Sequence, residues 1–140
     1  GLDFDHGTGH GIGCFLNVHE APPSISPYAR EALQENMIIS NEPGFYAVGK
    51  FGIRIENMMR VVRDKSKKGR FLKFETLTFV PFCDELIERE LLTQEEQEWI
   101  AAYYVQILRA VYSKVERETQ LWLTQQMKRW IKVEKVILTC

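Results

Sequence analysis

The sequence predicts an α+β fold in which a strand-rich half precedes a helical half. All nine Gly and all five Pro residues lie before residue 84, between short apolar runs. That spacing is typical of short strands joined by tight turns. From residue 84 onward the chain contains neither Gly nor Pro, and apolar residues recur at helical intervals. Two regions are therefore expected, residues 1–83 and residues 84–140.

The first half contains three segments that we interpret as strands. Residues 37–40 (MIIS) predict a buried strand, closed by a turn at residues 42–44 (EPG). Residues 51–62 predict one continuous strand, in which Ile53 and Ile55 face opposite to Arg54 and Glu56. The polar, basic residues 64–70 suit a hairpin loop, and residues 71–82 its return strand.

The second half opens with a helix-start signal. Thr93 and Glu96 have the spacing of a capping box, with Thr93 as the N-cap. Apolar residues then predict one buried stripe at positions 99, 103, 107, 110 and 111, beginning with Trp99. Helix is expected to continue as far as Trp130, and residues 132–140 are expected to fray.

Length, charge and cysteine content limit the class of protein. A chain of 140 residues with a net charge of −1 can bury one core and has no general attraction to nucleic acid or to anionic membranes. Its apolar runs are too short to span a bilayer. Three unpaired cysteines favour a reducing, cytoplasmic setting, with Cys14 and Cys83 as small core residues. The first residue is not Met, so the chain is expected to begin within a longer polypeptide.

Chemistry-bearing residues gather at the start of the chain. His6 and His10 alternate with Gly in the segment HGTGHGIG, and His19 follows within the same region. Four Gly residues disfavour a helix, so an extended loop is expected in which the backbone passes close to something bound. The spacing matches neither a dinucleotide fingerprint nor a phosphate-binding loop. Three histidines among glycines favour a binding site.

Two carboxylates are predicted on strands, Glu42 at the end of one and Glu56 within another. Glu42 ends a buried strand, and Glu56 follows Ile55 with Arg54 on its own face. A carboxylate in such a place is costly unless it is paired or bound to a metal. One alternative is an Arg54–Glu56 ion pair, with Glu42 hydrogen-bonded to a turn. The other is a metal site, for which an imidazole and two carboxylates suit manganese or another hard divalent ion.

These residues stand in an order that resembles the cytosolic type of Xaa-Pro aminopeptidase, a metallopeptidase family. The resemblance rests on GTGHGIG at residues 7–13, FLNVHE at 15–20, NEPGFY at 41–46, GIRIEN at 52–57, FLKFETLT at 71–78 and LLT at 91–93. It covers residues 3–110 and implies the C-terminal half of a pita-bread fold, followed by a helical extension. That extension is a candidate for homodimer contacts.

The resemblance also implies an activity and a metal centre. It implies hydrolysis of the N-terminal bond before proline, by a hydroxide that bridges two divalent ions, most simply Mn²⁺. His10 and Glu42 would be ligands of one ion, and Glu56 would bridge both. Glu42 would also accept a proton during catalysis. The expected substrate is a peptide with proline at its second position.

Three further residues receive roles by the same resemblance. His6 and His19 would line the substrate site, and His19 would also be catalytic, at the scissile carbonyl or as a proton shuttle. Arg54 would hold Glu56 or a neighbouring carboxylate in position.

The chain departs from the family in one respect that affects activity. The two Asp ligands expected ahead of the Gly-His loop are missing, since Asp3 and Asp5 lack the required spacing. The isolated chain is therefore expected to be inactive. Two alternatives stay open: a non-catalytic pita-bread module that binds peptides or proteins, and an Xaa-Pro dipeptidase of the same fold.

Overall fold

The computed structural model describes residues 3–15 and 17–138 and separates into two units, Gly1–Thr78 and Phe79–Cys140. The first unit contains β-strands and loops, and the second contains helices. The elements, in chain order, are the strands β1 (Gly9–His10), β2 (Ser24–Ile25), β3 (Ile38–Asn41), β4 (Gly44–Ala47), β5 (Phe51–Arg54), β6 (Asn57–Arg63) and β7 (Leu72–Thr76), and the helices α1 (Gln94–Val111), α2 (Arg117–Met127) and α3 (Val133–Ile137). The predicted α+β composition is confirmed.

Three small antiparallel sheets make up the first unit. The largest has the strand order β3–β6–β7, and the hairpins β1–β2 and β4–β5 form the other two. Met59 and Val61 alternate with exposed Met58 and Arg60 along β6, so one face of this strand is buried. Ile39 pairs with Met59 across the sheet and is fully buried. The core of this sheet therefore follows the period of two that a half-buried strand requires.

The predicted strand over residues 51–62 is interrupted in the structure. β5 ends at Arg54, and β6 begins at Asn57. β5 returns along β4, whereas β6 pairs with β3 and β7, so the two strands belong to different sheets. Ile55 lies between them, and its backbone N–H donates to the Pro43 carbonyl at 3.2 Å. The alternating pattern predicted one continuous strand, but the chain changes its pairing partner and the strand is interrupted.

The loop between β6 and β7 lies where the sequence predicted it. Arg63 pairs with Leu72, and the Asp64 N–H donates to the Phe71 carbonyl at 2.8 Å, which closes the hairpin. The return strand is shorter than predicted, because β7 ends at Thr76.

Helix α1 begins as predicted. The Thr93 hydroxyl accepts the Glu96 N–H, and the Glu96 carboxylate accepts the Thr93 N–H at 2.8 Å, which completes the capping box. The buried face differs from the predicted stripe, because Trp99 is 58% exposed and Ile100 takes the core position. The cluster of buried side chains in the second unit comprises Ile100, Tyr103, Tyr104, Ile107, Leu108, Leu123, Met127, Trp130 and Val133.

Two further predictions fail in the structure. Within residues 132–140, which were expected to fray, residues 133–137 form α3 with Val133 buried in the helical core, and residues 139–140 lie outside the described residues. Cys14 and Cys83 are both exposed, so neither is a core residue. None of the helices in the described residues has the length and apolar character needed to cross a bilayer.

Candidate metal centre

The Gly-His loop is fixed against strand β3 by backbone contacts. Gly11 forms a bridge with Ile39, and the Glu42 N–H donates to the Thr8 carbonyl at 2.7 Å. A side chain at Gly9 would collide with the Ser40 carbonyl, and one at Gly11 with the Glu20 carbonyl. The glycines were expected to let the backbone approach a bound group. In the structure these two allow close approach to the chain itself, which brings His10 to the end of β3.

His10 and Glu42 form the centre of the site. The Nε2 atom of His10 lies 2.9 Å from Oε1 of Glu42, whose side chain is only 9% exposed. The Ser40 hydroxyl donates to the same Oε1 at 3.0 Å and accepts the His10 backbone N–H at 2.9 Å. Ser40 itself is fully buried. The carboxylate therefore has partners in a largely desolvated position, as a buried charge requires.

Arg54 binds the other oxygen of Glu42. Its Nη1 atom lies 2.9 Å from Oε2 of Glu42, and its Nε donates to the Tyr46 hydroxyl at 3.0 Å. The hydrogen bond to Tyr46 is the main cause that raises the pKa of Arg54, and the charges of Glu42 and Glu56 add to it. Of the alternatives left open by the sequence, an Arg54–Glu56 ion pair is thus replaced by an Arg54–Glu42 pair.

His6 lies at the end of a hydrogen-bonded chain from Arg54. The Tyr46 hydroxyl is 2.7 Å from Nε2 of His6, and Nδ1 of His6 is 2.8 Å from the Gly7 carbonyl. The carbonyl can only accept, so Nδ1 carries the proton and Nε2 of the neutral ring accepts from Tyr46. Tyr46 in turn accepts from Arg54. With a neutral His6 ring, the hydrogen bonds therefore run from Arg54 through Tyr46 to His6.

His19 lies on the other side of His10. The two imidazole rings are 4.1 Å apart between centroids, and His19 is exposed. A cavity of about 460 Å³ opens beside them. It is lined by residues from the Gly-His loop, β2 and the strand ends, namely His6, Gly7, Gly9, His10, His19, Ser24, Ser26, Glu42 and Arg54. Five of the six predicted site residues thus surround one cavity.

Glu56 is the predicted residue that does not join this group. It is exposed between β5 and β6 and does not line the cavity, although its charge acts on Arg54. Within residues 3–15 and 17–138, no three His, Cys, Asp or Glu side chains are grouped so that they could hold a metal ion. The described residues therefore bring together two candidate metal ligands, His10 and Glu42, rather than a full ligand set.

The His10–Glu42 pair has the chemistry of part of a metal site. Nδ1 of His10 lies 2.9 Å from the Gly11 carbonyl and must donate to it, which leaves the lone pair of a neutral ring on Nε2. Nε2 and Oε1 are then two lone-pair atoms in close contact, which is favourable only with a shared proton or with a cation bound to both. Two ligands about 2.1 Å from one octahedral ion lie about 3 Å apart, close to the 2.9 Å observed. The pair fits one divalent ion.

Ser40 and Tyr46 belong to the site but were not predicted as site residues. Even spacing places Ser40, Glu42 and Tyr46 two and four residues apart, which in extended chain directs side chains to one side. The signal that could have identified Ser40 is a small polar residue in the otherwise apolar strand MIIS. Tyr46 was quoted within a motif, but only the structure shows that its hydroxyl connects Arg54 with His6.

Comparisons with known proteins identify the family. Residues 1–63 match metallopeptidase family M24, and residues 70–130 match the C-terminal region of peptidase_M24. Proteins from Fusarium vanettenii and Tuber melanosporum, each named Probable Xaa-Pro aminopeptidase P, are 46% and 42% identical to this chain over 135 residues. Each of these comparisons covers 90% of this chain and only 22% of the relative's length.

A solved structure gives the same result for the fold. The X-prolyl aminopeptidase of Caenorhabditis elegans, described as a cytosolic enzyme with a di-nuclear active site, superimposes with a TM-score of 0.80 at 38% identity. The superposition covers 90% of this chain and 22% of that chain. It confirms the predicted fold class, a C-terminal part of the pita-bread fold with helices after it. With consecutive family matches across most of its length, this chain belongs to metallopeptidase family M24.

Proposed function

We propose that this chain supplies part of the two-metal centre of a longer Xaa-Pro metalloaminopeptidase. The observation that carries the proposal is the His10–Glu42 pair, 2.9 Å apart at the edge of a cavity that two further histidines line. The C. elegans structural relative, which has a di-nuclear active site, supports two ions over one. In this proposal residues 1–83 carry the catalytic part and residues 84–140 form the helical extension.

The remaining ligands would come from Glu56 and from residues outside this chain. His10 and Glu42 would bind one ion, and Glu56 would bridge both ions after a shift of the short segment between β5 and β6. Two Asp residues from the preceding part of the longer protein would complete the site. The 22% share of the relatives' length that this chain spans is consistent with such a contribution. We propose that the isolated chain binds metal weakly and does not turn over substrate.

The group that these residues would hold is a pair of divalent ions, most simply Mn²⁺ given the oxygen-rich ligands, and it would supply an activated water for hydrolysis of the bond before proline. Glu42 would accept the proton released from that water and pass it towards the proline nitrogen. Arg54 holds Oε2 of Glu42, which keeps the carboxylate oriented during this transfer. His19, exposed at the cavity, would stabilise the developing charge on the carbonyl oxygen. His6, whose Nε2 accepts from Tyr46, would contact the substrate.

The substrate, partners and location are proposed from the same family relation. The substrate would be a peptide with proline at its second position, in keeping with the names of the fungal relatives. We propose a cytoplasmic protein and a homodimer, without nucleic-acid or membrane partners. An Xaa-Pro dipeptidase of the same fold is the alternative enzyme, and a metal-free binding module is the alternative without catalysis.

One experiment separates these possibilities. The longer protein is purified with Mn²⁺, analysed for bound metal, and assayed on an Xaa-Pro dipeptide and on Xaa-Pro and Xaa-Ala tripeptides matched in their other residues. We expect two ions per chain and release of the first residue from the Xaa-Pro tripeptide but not from the Xaa-Ala tripeptide. Glu42→Gln should reduce kcat by a factor of about 100 or more, since it removes a ligand and a proton acceptor. Lys73→Gln, on the exposed strand β7, is the control.

The other outcomes exclude the proposal in different ways. A metal-free protein that still binds peptides would support the binding module. Cleavage of Xaa-Pro dipeptides but not of tripeptides would support the dipeptidase. Turnover by the 140-residue chain alone would contradict the proposed contribution of outside ligands.

A further inference from the structure

We infer that Ser40 is a positioning residue that sets the geometry of the His10–Glu42 pair and thereby the affinity of this site for a divalent cation. The inference rests on the proposed metal site and assigns a role to a residue that the sequence analysis did not identify. Ser40 contacts both members of the pair, yet its hydroxyl is not itself among the proposed ligands.

The hydroxyl of Ser40 connects the two residues through bonds of fixed direction. The His10 backbone N–H can only donate, so Ser40 Oγ accepts it at 2.9 Å. The single hydroxyl proton then has two acceptors nearby, Oε1 of Glu42 at 3.0 Å and the His10 carbonyl at 3.4 Å. The charged and nearer acceptor wins, because hydrogen bonds to carboxylates are the stronger ones. Ser40 therefore joins the His10 backbone to Oε1 of Glu42.

This bond determines which carboxylate oxygen faces the imidazole. Ser40 holds Oε1, the oxygen 2.9 Å from Nε2 of His10, whereas Arg54 holds Oε2. With one bond on each oxygen, the carboxylate cannot rotate without losing a partner. Oε1 keeps a second lone pair for a cation shared with Nε2. Without the Ser40 hydroxyl, Arg54 alone would orient Glu42, and its side chain is 44% exposed.

Ser40 is also placed where a hydroxyl has no other evident use. It is fully buried in β3, and its backbone pairs with Met58. The strand needs only an extended backbone there, and an apolar residue would avoid the cost of burying a hydroxyl. Hydrogen bonds around metal ligands typically affect metal affinity by a factor of about 10 to 100. Orientation of the ligand pair is the role that these contacts support.

The test is a Mn²⁺ titration of the longer protein, in which electron paramagnetic resonance measures free Mn²⁺. Ser40→Ala should weaken Mn²⁺ binding about tenfold or more, and Ser40→Thr, which keeps the hydroxyl, should bind more tightly than Ser40→Ala. Ser24→Ala is the matched control, because the Ser24 hydroxyl lies at the same cavity but donates to the Gly9 carbonyl at 3.2 Å. It should weaken binding less than Ser40→Ala does.

A second measurement separates positioning from a general structural role. Unfolding by urea in the presence of EDTA reports stability without metal, and only variants that fold are titrated. If Ser40→Ala does not fold, Ser40→Cys replaces it, since the thiol is larger than the hydroxyl, leaves no cavity and is a weak donor. A serine with a structural role alone would lower the unfolding free energy and leave the Mn²⁺ dissociation constant of the folded protein unchanged.

The possible results distinguish a failure of the role inferred for Ser40 from a failure of the proposed metal site. Wild-type binding that Glu42→Gln abolishes and Ser40→Ala weakens supports both. Wild-type binding that Glu42→Gln abolishes but Ser40→Ala leaves unchanged overturns the role of Ser40 and leaves the metal site intact. Absence of Mn²⁺ binding by the longer wild-type protein, or binding that Glu42→Gln does not alter, overturns the ligand assignment and the role of Ser40 with it.

Discussion

The two units of this chain differ in the kinds of side chain that they bury. In Phe79–Cys140 the buried side chains form one apolar and aromatic cluster contributed by three helices and the segment before α3. In Gly1–Thr78 the buried apolar residues that the structure describes are Ile39, Met59 and Val61. Beside them the same unit buries Ser40, Glu42 and Asp64.

This difference shows where stability and chemistry lie. Apolar burial contributes roughly 25 cal/mol per Å² and needs no specific partner. A buried carboxylate requires particular donors, as Glu42 has in Ser40 and Arg54. The helical unit also contains one such group, Asp84, which accepts Trp130 Nε1 at 2.5 Å and Arg129 Nη1 at 2.9 Å. We therefore expect core substitutions to act most strongly in the helical unit and polar substitutions to affect function in the strand unit.

The largest expected effect comes from the helical core. Ile107→Ala should lower the unfolding free energy by about 2–5 kcal/mol, because Ile107 is fully buried and its loss leaves a cavity. Urea denaturation followed by circular dichroism measures the change. Leu121→Ala is the control, since Leu121 is 55% exposed. Equal losses in the two variants would contradict the assignment of the core.

A smaller effect is expected at the polar group of the helical unit. Trp130→Phe keeps an aromatic ring but removes the N–H that binds Asp84, which leaves a buried carboxylate oxygen short of a donor. The expected loss is about 1–3 kcal/mol, measured by urea denaturation. Trp122→Phe, at a half-exposed position of α2, should change stability much less. If Trp122→Phe is the more damaging of the two, the Asp84 contact is not important for stability.

The capping box of α1 should contribute about 1 kcal/mol. Thr93→Ala removes the hydroxyl that accepts the Glu96 N–H and should destabilise the helical unit by about that amount. Thr124→Ala is the opposite case, because Thr124 lies inside α2, where Ala is the better helix former. Urea denaturation should therefore show changes of opposite sign, and changes of the same sign and size would contradict this account.

The smallest expected effect is a loss of stability at acid pH, and it involves one carboxylate in each unit. Hydrogen bonds from Thr93 lower the pKa of Glu96 below 4.5, and those from Ser66 lower the pKa of Asp64 below 3.8. A carboxylate whose pKa is lower in the folded than in the unfolded state stabilises the fold at pH values above its unfolded pKa. This stabilisation is lost as the pH falls through its folded pKa. Urea denaturation between about pH 6 and pH 3 should show a weaker loss in Glu96→Gln and Asp64→Asn than in the wild type. Parallel curves for all three proteins would exclude this contribution.

Local features of the sequence were the easiest to predict. The capping box at Thr93, the loop after Arg63 and the strand around Ile39 depend on neighbouring residues, and all three occur in the structure. Asn36 has a φ of 73°, a left-handed conformation that Asn adopts more readily than most residues. The break between β5 and β6 was missed, because an alternating pattern does not specify which strand will be the partner. The exposure of Trp99 was missed for a related reason, since helical spacing alone permits more than one buried face.

For the site as well, some features were predicted from the sequence and others are known only from the structure. By itself the sequence determined the residue types, their order and the family, since His10, Glu42, Glu56, Arg54 and the surrounding motifs can be read directly. Tertiary structure decided the pairing: Arg54 binds Glu42, Tyr46 connects Arg54 with His6, and Ser40 joins His10 to Glu42. The physical reason is that a hydrogen bond depends on distances of about 3 Å between atoms far apart in the chain. The packing of the Gly-His loop against β3 and the pairing of β4 with β5 establish those distances.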